Sequence, residues 1–348
     1  MGIWAAIGAA LLFGISTPIA KTLVGEASPL LLAGLLYTGS GIGLAILLAA
    51  RALGGGRASI TWPGRRNGLW LLGATFFGGA VGPYLLMYGL RLTDSASASL
   101  ILNLEGVFTA LLAWFVFKEN FDRRIALGMA LIIAGGVVLS VGPVMRASGF
   151  AGPLAIAGAC LAWAVDNNFT RNASVSDAMV IACAKGIIAG PISVALALGF
   201  GAPMPNAGTA LRAGMLGFAG YGLSLTLFVI ALRNLGTART GAYFSLAPFI
   251  GAALAVALGA PLSGSLTVAG LLMAAGVWLH LSERHGHRHH HPTLAHEHPH
   301  RHDIHHQHSH DDEWQGQEPH SHSHVHDVMD HEHPHYPDIH HRHQHRRK

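Results

Sequence analysis

Apolar and polar positions along this chain fall in blocks rather than in alternation. Stretches of spanning length, about 20 predominantly apolar residues, recur ten times. They cover roughly 2–21, 29–50, 68–90, 95–117, 125–145, 152–170, 178–199, 210–232, 239–258 and 265–282. The gaps hold charges and turn formers: Arg51 to Arg66, Lys118 to Arg124, Arg171 to Asp177 and Gly201 to Gly208. Glycine is frequent inside the blocks, as in membrane helices, where small residues let backbones approach closely. The pattern predicts an all-α integral membrane protein with ten transmembrane helices. The first block lacks a basic leader and runs to full spanning length, so it is expected to stay as a span rather than act as a cleavable signal.

Charge sharpens this picture. Only 11% of the 348 residues are charged, against about 25% in soluble globular chains. All 25 histidines lie at or after His280, and residues 1–279 hold seven acids and fifteen Lys/Arg, a net +8. The remaining residues hold eleven acids and seven Lys/Arg, a net −4 with histidine neutral. An apolar, weakly basic body therefore precedes a polar, histidine-rich tail. Two cysteines, Cys160 and Cys183, exclude a disulfide scaffold and read as small buried residues. With the N-terminus inside, the inner loops carry ten Lys/Arg (Arg51, Arg57, Arg65, Arg66, Lys118, Arg123, Arg124, Arg171, Arg233 and Arg239). The outer loops carry four (Lys21, Arg91, Arg146 and Arg212). Positive charge favours the inside, so the expectation is a multi-pass protein of the cell (inner) membrane with both termini cytoplasmic.

The two halves of the body match. At an offset of 142, Gly89-Leu90-Arg91 falls on Ala231-Leu232-Arg233, Leu104 on Leu246, Gly106 on Pro248, Ala110 on Ala252 and Gly128 on Gly270. Earlier in each half the offset is 150, with Gly8-Ala9 on Gly158-Ala159 and Leu11 on Leu161. Five spans per copy, an odd number, invert the second copy relative to the first. Such inverted repeats place a substrate site near the midplane between them in many secondary transporters. The expected organisation is a first five-helix repeat over 1–145, a second over 146–282, and a disordered tail over 283–348.

The stretch NLEGVFTALLAWFVFKENFDRRIALGMALIIAGGVVL (103–139) and its second copy SLAPFIGAALAVALGAPLSGSLTVAGLLMAAGVWL (245–279) resemble the end of an EamA repeat, from the drug/metabolite transporter superfamily. The shared pattern is an apolar helix with Pro or Gly near its middle, an acidic residue after it, then a Gly-punctuated helix. Glu119 fits the acidic position in the first copy; Pro261 stands there in the second. The resemblance covers residues 1–282 and implies ten spans, duplicated halves, cytoplasmic termini and transport of small metabolites.

Ionisable residues within spans are costly and usually mark pathways. Glu105, midway in span 4, is the leading candidate, with Asn103 on an adjacent face. Asp166, followed by Asn167 and Asn168, and Lys185 in the next span sit in the same half of consecutive antiparallel helices and are expected to pair. A structural ion pair and a substrate-binding pair stay open as readings. Asp166, Asn167 and Asn168 align with Ser16, Thr17 and Pro18 of the first copy. Tyr84, Tyr88 and Arg91 share one helical face. An interfacial anchor is favoured for Tyr88 and Arg91, while Tyr84 stays open between anchor and pathway wall. Trp163, one turn before Asp166, is read first as packing and second as a pathway residue.

The tail carries fifteen His-x-His pairs, as in HEHPHRH (296–302) and HSHSHVH (320–326). In extended chain, residues i and i+2 face the same side, so two imidazoles can share Zn, Ni or Cu. The candidate ligands are His289, His291, His296, His298, His300, His302, His320, His322, His324, His326, His333 and His335. The body shows no histidine for acid–base work, no Cys/His zinc set and no phosphate-loop lysine motif. Those features argue against an enzyme. No cofactor is required, and the partners expected are the lipid bilayer, a small-molecule substrate and divalent metal ions on the tail, with no nucleic acid. The leading reading is a gradient-driven, alternating-access permease for a small organic metabolite. The alternative is a divalent metal (Ni, Co or Zn) transporter, or a membrane-anchored metal buffer or sensor, working through the tail.

Overall fold

The computed structural model describes residues 2–54, 65–117, 123–141, 149–173, 177–282, 286–291, 294–300, 320–326 and 329–334. Up to Glu283 the chain forms one compact unit, and Arg284–Lys348 forms another. Among its described residues the regular secondary structure of the first unit is all helical.

Helix α1 (Gly2–Leu23) and α2 (Pro29–Leu53) open the bundle. Ser28 caps α2 by accepting from the Leu31 amide, and Pro29 takes the first helical position, where its missing N–H costs nothing. Next comes α3 (Arg65–Ala74), which runs through a π-helical segment (Thr75–Val81) into α4 (Gly82–Leu92). Asp94 caps α5 (Ser95–Ile101) through the Ser97 amide, and after Leu102–Asn103 the chain restarts as α6 (Leu104–Phe117). Then follow α7 (Arg123–Val141), α8 (Ala151–Ala173) and α9 (Ala178–Gly199). Helix α10 (Ala207–Gly217), capped by Asn206, passes through a second π-helical segment (Phe218–Leu223) into α11 (Ser224–Phe244). The unit closes with α12 (Ala247–Ala257) and α13 (Gly264–Leu281), the latter capped by Ser263.

Among the described residues, seven helices are long and apolar enough to cross a membrane: Gly2–Leu23, Pro29–Leu53, Gly68–Leu92, Ser95–Leu112, Arg123–Ser140, Ala178–Gly199 and Ala207–Leu235. Two shorter apolar helices, Ala247–Ala257 and Gly264–Leu279, follow. Ala151–Ala173 is 23 residues long but carries Asp166, Asn167 and Asn168 in its second half. One boundary differs from the sequence reading. A loop is expected between 232 and 239 from Arg233 and Arg239, yet the helix continues to Phe244 and the interruption falls at Ser245–Leu246. The backbone hydrogen-bonding of the helix runs unbroken through both positions. Glu119 lies outside the described residues.

The two halves share local irregularities as well as sequence. The π-segments end at Val81 and Leu223, 142 residues apart, and the interruptions after α5 and α11 hold Asn103 and Ser245, again 142 apart. Packing follows the same exchange. Helix α1 lies against α11 and α12, whereas α8 lies against α4 and α6; α2 packs on α9, and α7 on α13. The α2–α9 crossing is built on glycine. A Cβ on Gly41 would stand 2.7 Å from the Gly186 carbonyl carbon, and one on Gly34 would stand 2.7 Å from the Val194 nitrogen. Only hydrogen at these positions lets the backbones meet.

Within the tail unit, β1 (Gly286–His291) pairs antiparallel with β4 (Met329–Pro334), and β2 (Leu294–His300) with β3 (His320–His326). The register sets His296 opposite His324, His298 opposite His322 and His300 opposite His320. The His-x-His alternation has the two-residue period of a strand, and these ladders use it. His302 and His335 lie outside the described residues.

Candidate functional site

A cavity of about 480 Å³, its open mouth included, lies inside the helical unit. Its walls come from α1, α2 and α6 in the first half of the chain, and from α8 and the α10–α11 region in the second. Phe13 is the hub of an aromatic corner. Its ring lies 5.6 Å from Trp163 at 83°, 5.8 Å from Tyr221 at 75°, and 5.5 Å from Phe244. Tyr37 closes the corner, 5.5 Å from Tyr221. Edge-to-face pairs of this kind are favourable and hold ring orientation.

Carboxylates and amides form the polar side of the cavity. Glu105 stands in the first turn of α6, immediately after the Leu102–Asn103 interruption, and accepts a hydrogen bond of 2.7 Å from Asn167 Nδ2. That bond ties α6 to α8, one from each half. Asp166 also lines the cavity. Behind it, buried Lys185 reaches across from α9, with Nζ 2.5 Å from Asp166 Oδ1 and 2.8 Å from Thr170 Oγ1. Thr170 Oγ1 in turn donates to Asp166 Oδ1 at 2.8 Å. The pairing of Asp166 with Lys185 expected from their spacing is present. Thr170, one helical turn after Asp166, completes a buried triad.

The first π-segment locks onto this cluster through one residue. The Gly78 carbonyl accepts from Tyr37 Oη at 2.6 Å and from Trp163 Nε1 at 3.1 Å. A Cβ on Gly78 would stand 2.8 Å from Asp166 Cβ and closer still to its carboxylate. In the second half, Gly220 meets Ser16 in the same way, with a would-be Cβ 2.9 Å from Ser16 Oγ. Gly78 and Gly220 are 142 residues apart, and Ser16 and Asp166 are 150 apart, the two offsets of the sequence repeat. Phe13 and Trp163 are likewise 150 apart. π-Helical segments are rare and tend to occur at functional sites.

The other sequence candidates fall elsewhere. Asn103 is buried beside the cavity rather than lining it. Its Nδ2 donates to Leu100 O at 3.1 Å and approaches Met273 Sδ at 3.7 Å, while its Oδ1 is buried with no hydrogen-bond partner among the described residues. Asn168 donates to Ala164 O at 2.8 Å on its own helix. Tyr84 and Tyr88 are each 38% exposed, with rings 6.4 Å apart, on the outer face of α4 and away from the cavity. Trp163, read from sequence first as packing, both packs and lines the cavity. Among the described residues no cluster of three or more His, Cys, Asp or Glu is arranged to hold a metal ion. Sequence reasoning missed Phe13, Tyr37, Tyr221, Phe244 and Thr170. Isolated aromatics in apolar helices carry no signal of their own, although the alignment of Phe13 with Trp163 at the 150-residue offset was readable.

Two ion pairs bind the halves together outside the cavity. Glu26, in the α1–α2 loop, accepts from Arg212 Nη2 at 2.8 and 3.0 Å and from the Thr209 hydroxyl, both on α10. The Thr209 hydrogen bond, helped by the Arg212 guanidinium, outweighs desolvation and holds the Glu26 carboxyl below its ordinary value. Arg51, in the last turn of α2, pairs at 2.9 Å with Asp177, which also caps α9 through the Met179 amide.

Comparison with known proteins agrees with this architecture. An alignment of 291 residues gives 28% identity to an uncharacterized transporter of Methanothermobacter thermautotrophicus, covering 78% of this chain and 84% of that protein. A stretch of 76 residues is 37% identical to a probable 4-amino-4-deoxy-L-arabinose-phosphoundecaprenol flippase subunit ArnE of Pseudomonas fluorescens, covering 22% of this chain and 64% of that one. A solved crystal structure superposes with a TM-score of 0.60 over 80% of this chain and 96% of that one, at 23% identity, a likeness of fold. The profile of the EamA-like transporter family matches twice, over residues 1–141 and 150–282. Helices long and apolar enough to cross a membrane, a cavity walled by both halves, and a family match to each half lead to one conclusion: the chain is a multi-pass membrane protein of the EamA-like transporter family, in the drug/metabolite transporter superfamily.

Proposed function

We propose that the protein is a gradient-driven permease for a small organic metabolite, working by alternating access around the cavity at Glu105. The observation that carries this reading is that the cavity is assembled from both halves, with Glu105 and Phe13 from the first and Trp163, Asn167 and Tyr221 from the second. A site shared by two bodies can open to either side when one body rocks against the other. The exchange of packing partners between α1 and α8, and the paired π-segments, support reading the halves as inverted repeats of five spans each. On this reading, α8 and the two shorter terminal helices complete ten spans, and both termini are cytoplasmic. Asn167 donating to Glu105 is the contact a substrate would compete for. The charge-dense ties at Glu26–Arg212 and Arg51–Asp177 then act as closures between the halves.

The alternative of divalent metal transport has less support. Two carboxylates line the cavity, but among the described lining residues there is no Cys or His, the side chains that bind transition metals best. The histidine tail is read as a separate metal-binding appendage. Counterflow in liposomes holding the full chain, with metabolite extracts as the inner pool, tests the proposal. Glu105→Gln is expected to lower exchange at least tenfold with unchanged membrane insertion. Full exchange by that variant would reduce Glu105 to a structural role.

A further inference from the structure

Cavity charge and wall chemistry carry the substrate question one step further. Among its described lining residues are two carboxylates, Glu105 and Asp166, and no Lys, Arg or His. Asp166 is already matched by Lys185, which is 1% exposed, sits behind it and does not line the cavity. The hydrogen-bond partner of Glu105 is a neutral amide, that of Asn167, and no cation lies within ion-pair distance of it among the described residues. The cavity therefore presents one carboxyl with no cationic partner among the described residues. An anionic ligand would meet repulsion there. A cation would supply the missing partner, in a site where water screens little.

Aromatic geometry favours the same sign. Phe13 packs at steep angles against Trp163 and Tyr221, and all three rings line the cavity. Ring faces attract cations through their quadrupole, and boxes of such rings are a general solution for ammonium groups. Tyr221 adds a buried phenol oxygen to the same wall. A protonated amine can donate to that oxygen. Leu225 and Phe228 continue the wall in apolar form, which suits a hydrocarbon body better than a polyol.

From these observations we infer that the site selects an organic cation: a small amine or ammonium compound with an apolar or aromatic body. The inference deepens the transport reading and rests on it only in taking this cavity as the substrate site. The test is equilibrium binding at neutral pH to the detergent-solubilised full chain, with three probes of one size: 2-phenylethylammonium, 2-phenylethanol and 3-phenylpropionate. The cation should bind at least tenfold more tightly than the other two. Glu105→Gln should weaken the cation at least tenfold and the alcohol less than twofold. Phe13→Leu keeps an apolar side chain but removes the ring face, so it should also weaken the cation more than the alcohol, giving a second readout should Glu105→Gln fail to fold. Equal or tighter binding of the carboxylate overturns the inference, as does absence of saturable cation binding at millimolar concentration. The same probes in liposome counterflow separate the two levels. Cation binding without cation exchange refutes transport and leaves charge selection standing; exchange of the carboxylate alone refutes charge selection and leaves transport standing.

Discussion

Lys185→Met isolates the most consequential buried interaction in the bundle. Lys185 and Asp166 have side chains 1% and 7% exposed and approach to 2.5 Å. At that distance the gross attraction is about 7 kcal/mol with an effective dielectric constant of about 20. Most of it is offset by taking both ions out of water, so the pair itself adds little net stability. Removing one partner is a different matter. Met fills the volume of the lysine stem but leaves the Asp166 carboxylate against Gly78 with Thr170 as its remaining donor. Breaking a buried pair from one side costs about 3–5 kcal/mol, a shift of two to three or more decades in the unfolding equilibrium. Adding Asp166→Asn removes the stranded charge, so the double variant should regain at least about 2 kcal/mol of that loss. Reversible unfolding in mixed micelles, titrated with dodecyl sulfate and followed by far-ultraviolet circular dichroism, reads both numbers. A single variant within about 1 kcal/mol of the parent, or a double variant no more stable than the single, would refute the reasoning.

Gly78→Ala should destabilise by about 1–3 kcal/mol, because its Cβ displaces Asp166. Gly106→Ala, whose Cβ meets nothing within 4 Å on an exposed helical face, should be neutral or stabilising in the same assay. The lowered carboxyl of Glu26 gives stability that is present above the unfolded carboxyl value, about 4.3, and is lost as pH falls through the folded one. The thermal-stability difference between the parent and Glu26→Gln should therefore shrink on acidification below about pH 4.3; a gap that widens there contradicts the sign. For the tail, the full chain should bind several zinc or nickel ions at neutral pH and release them below about pH 6.5. A chain ending at Glu283 should lose that binding but keep liposome exchange, as equilibrium dialysis and counterflow would report.

Much of the bundle was legible because a bilayer demands long apolar runs, and those runs leave a coarse, strong signal. Helix ends were legible where a cap residue marks them, as Ser28, Asp94 and Ser263 do. The continuation to Phe244 was not, because Arg233 and Arg239 look like loop residues when tertiary packing is out of sight. The Asp166–Lys185 pair could be predicted because charge in a membrane must find a partner. The aromatic corner could not. A ring that lines a cavity and a ring that fills a core are the same letter in a sequence, and only the crossing of α1, α8 and α11 decides between them. Nor is a π-helical segment visible in TFFGGAV or FAGYGL as such, although both are rich in glycine and aromatic residues.

The π-segments also set how the sequence can tolerate changes in length. Each carries the equivalent of one residue more than an ordinary helical turn, so everything after it is rotated about 100° from where a regular helix would put it. Deleting a single residue within Thr75–Val81 would cancel that offset and let a plain α-helix form with Gly82–Leu92 still in place, whereas relaxing to an α-helix at constant length would swing the whole of Gly82–Leu92 by that angle. Gly89, which now sits against Ile156, would turn away from α8, and the exposed Tyr88 side would turn toward it. Changes of length are therefore permissible in the loops, and within these two helices a single-residue deletion is accommodated inside the π-helical segment, while elsewhere in the same helix it rotates one end against the other. Related chains should vary in length between the helices, and one that lacks a residue in Thr75–Val81 or Phe218–Leu223 should have a plain α-helix there with both flanks unmoved.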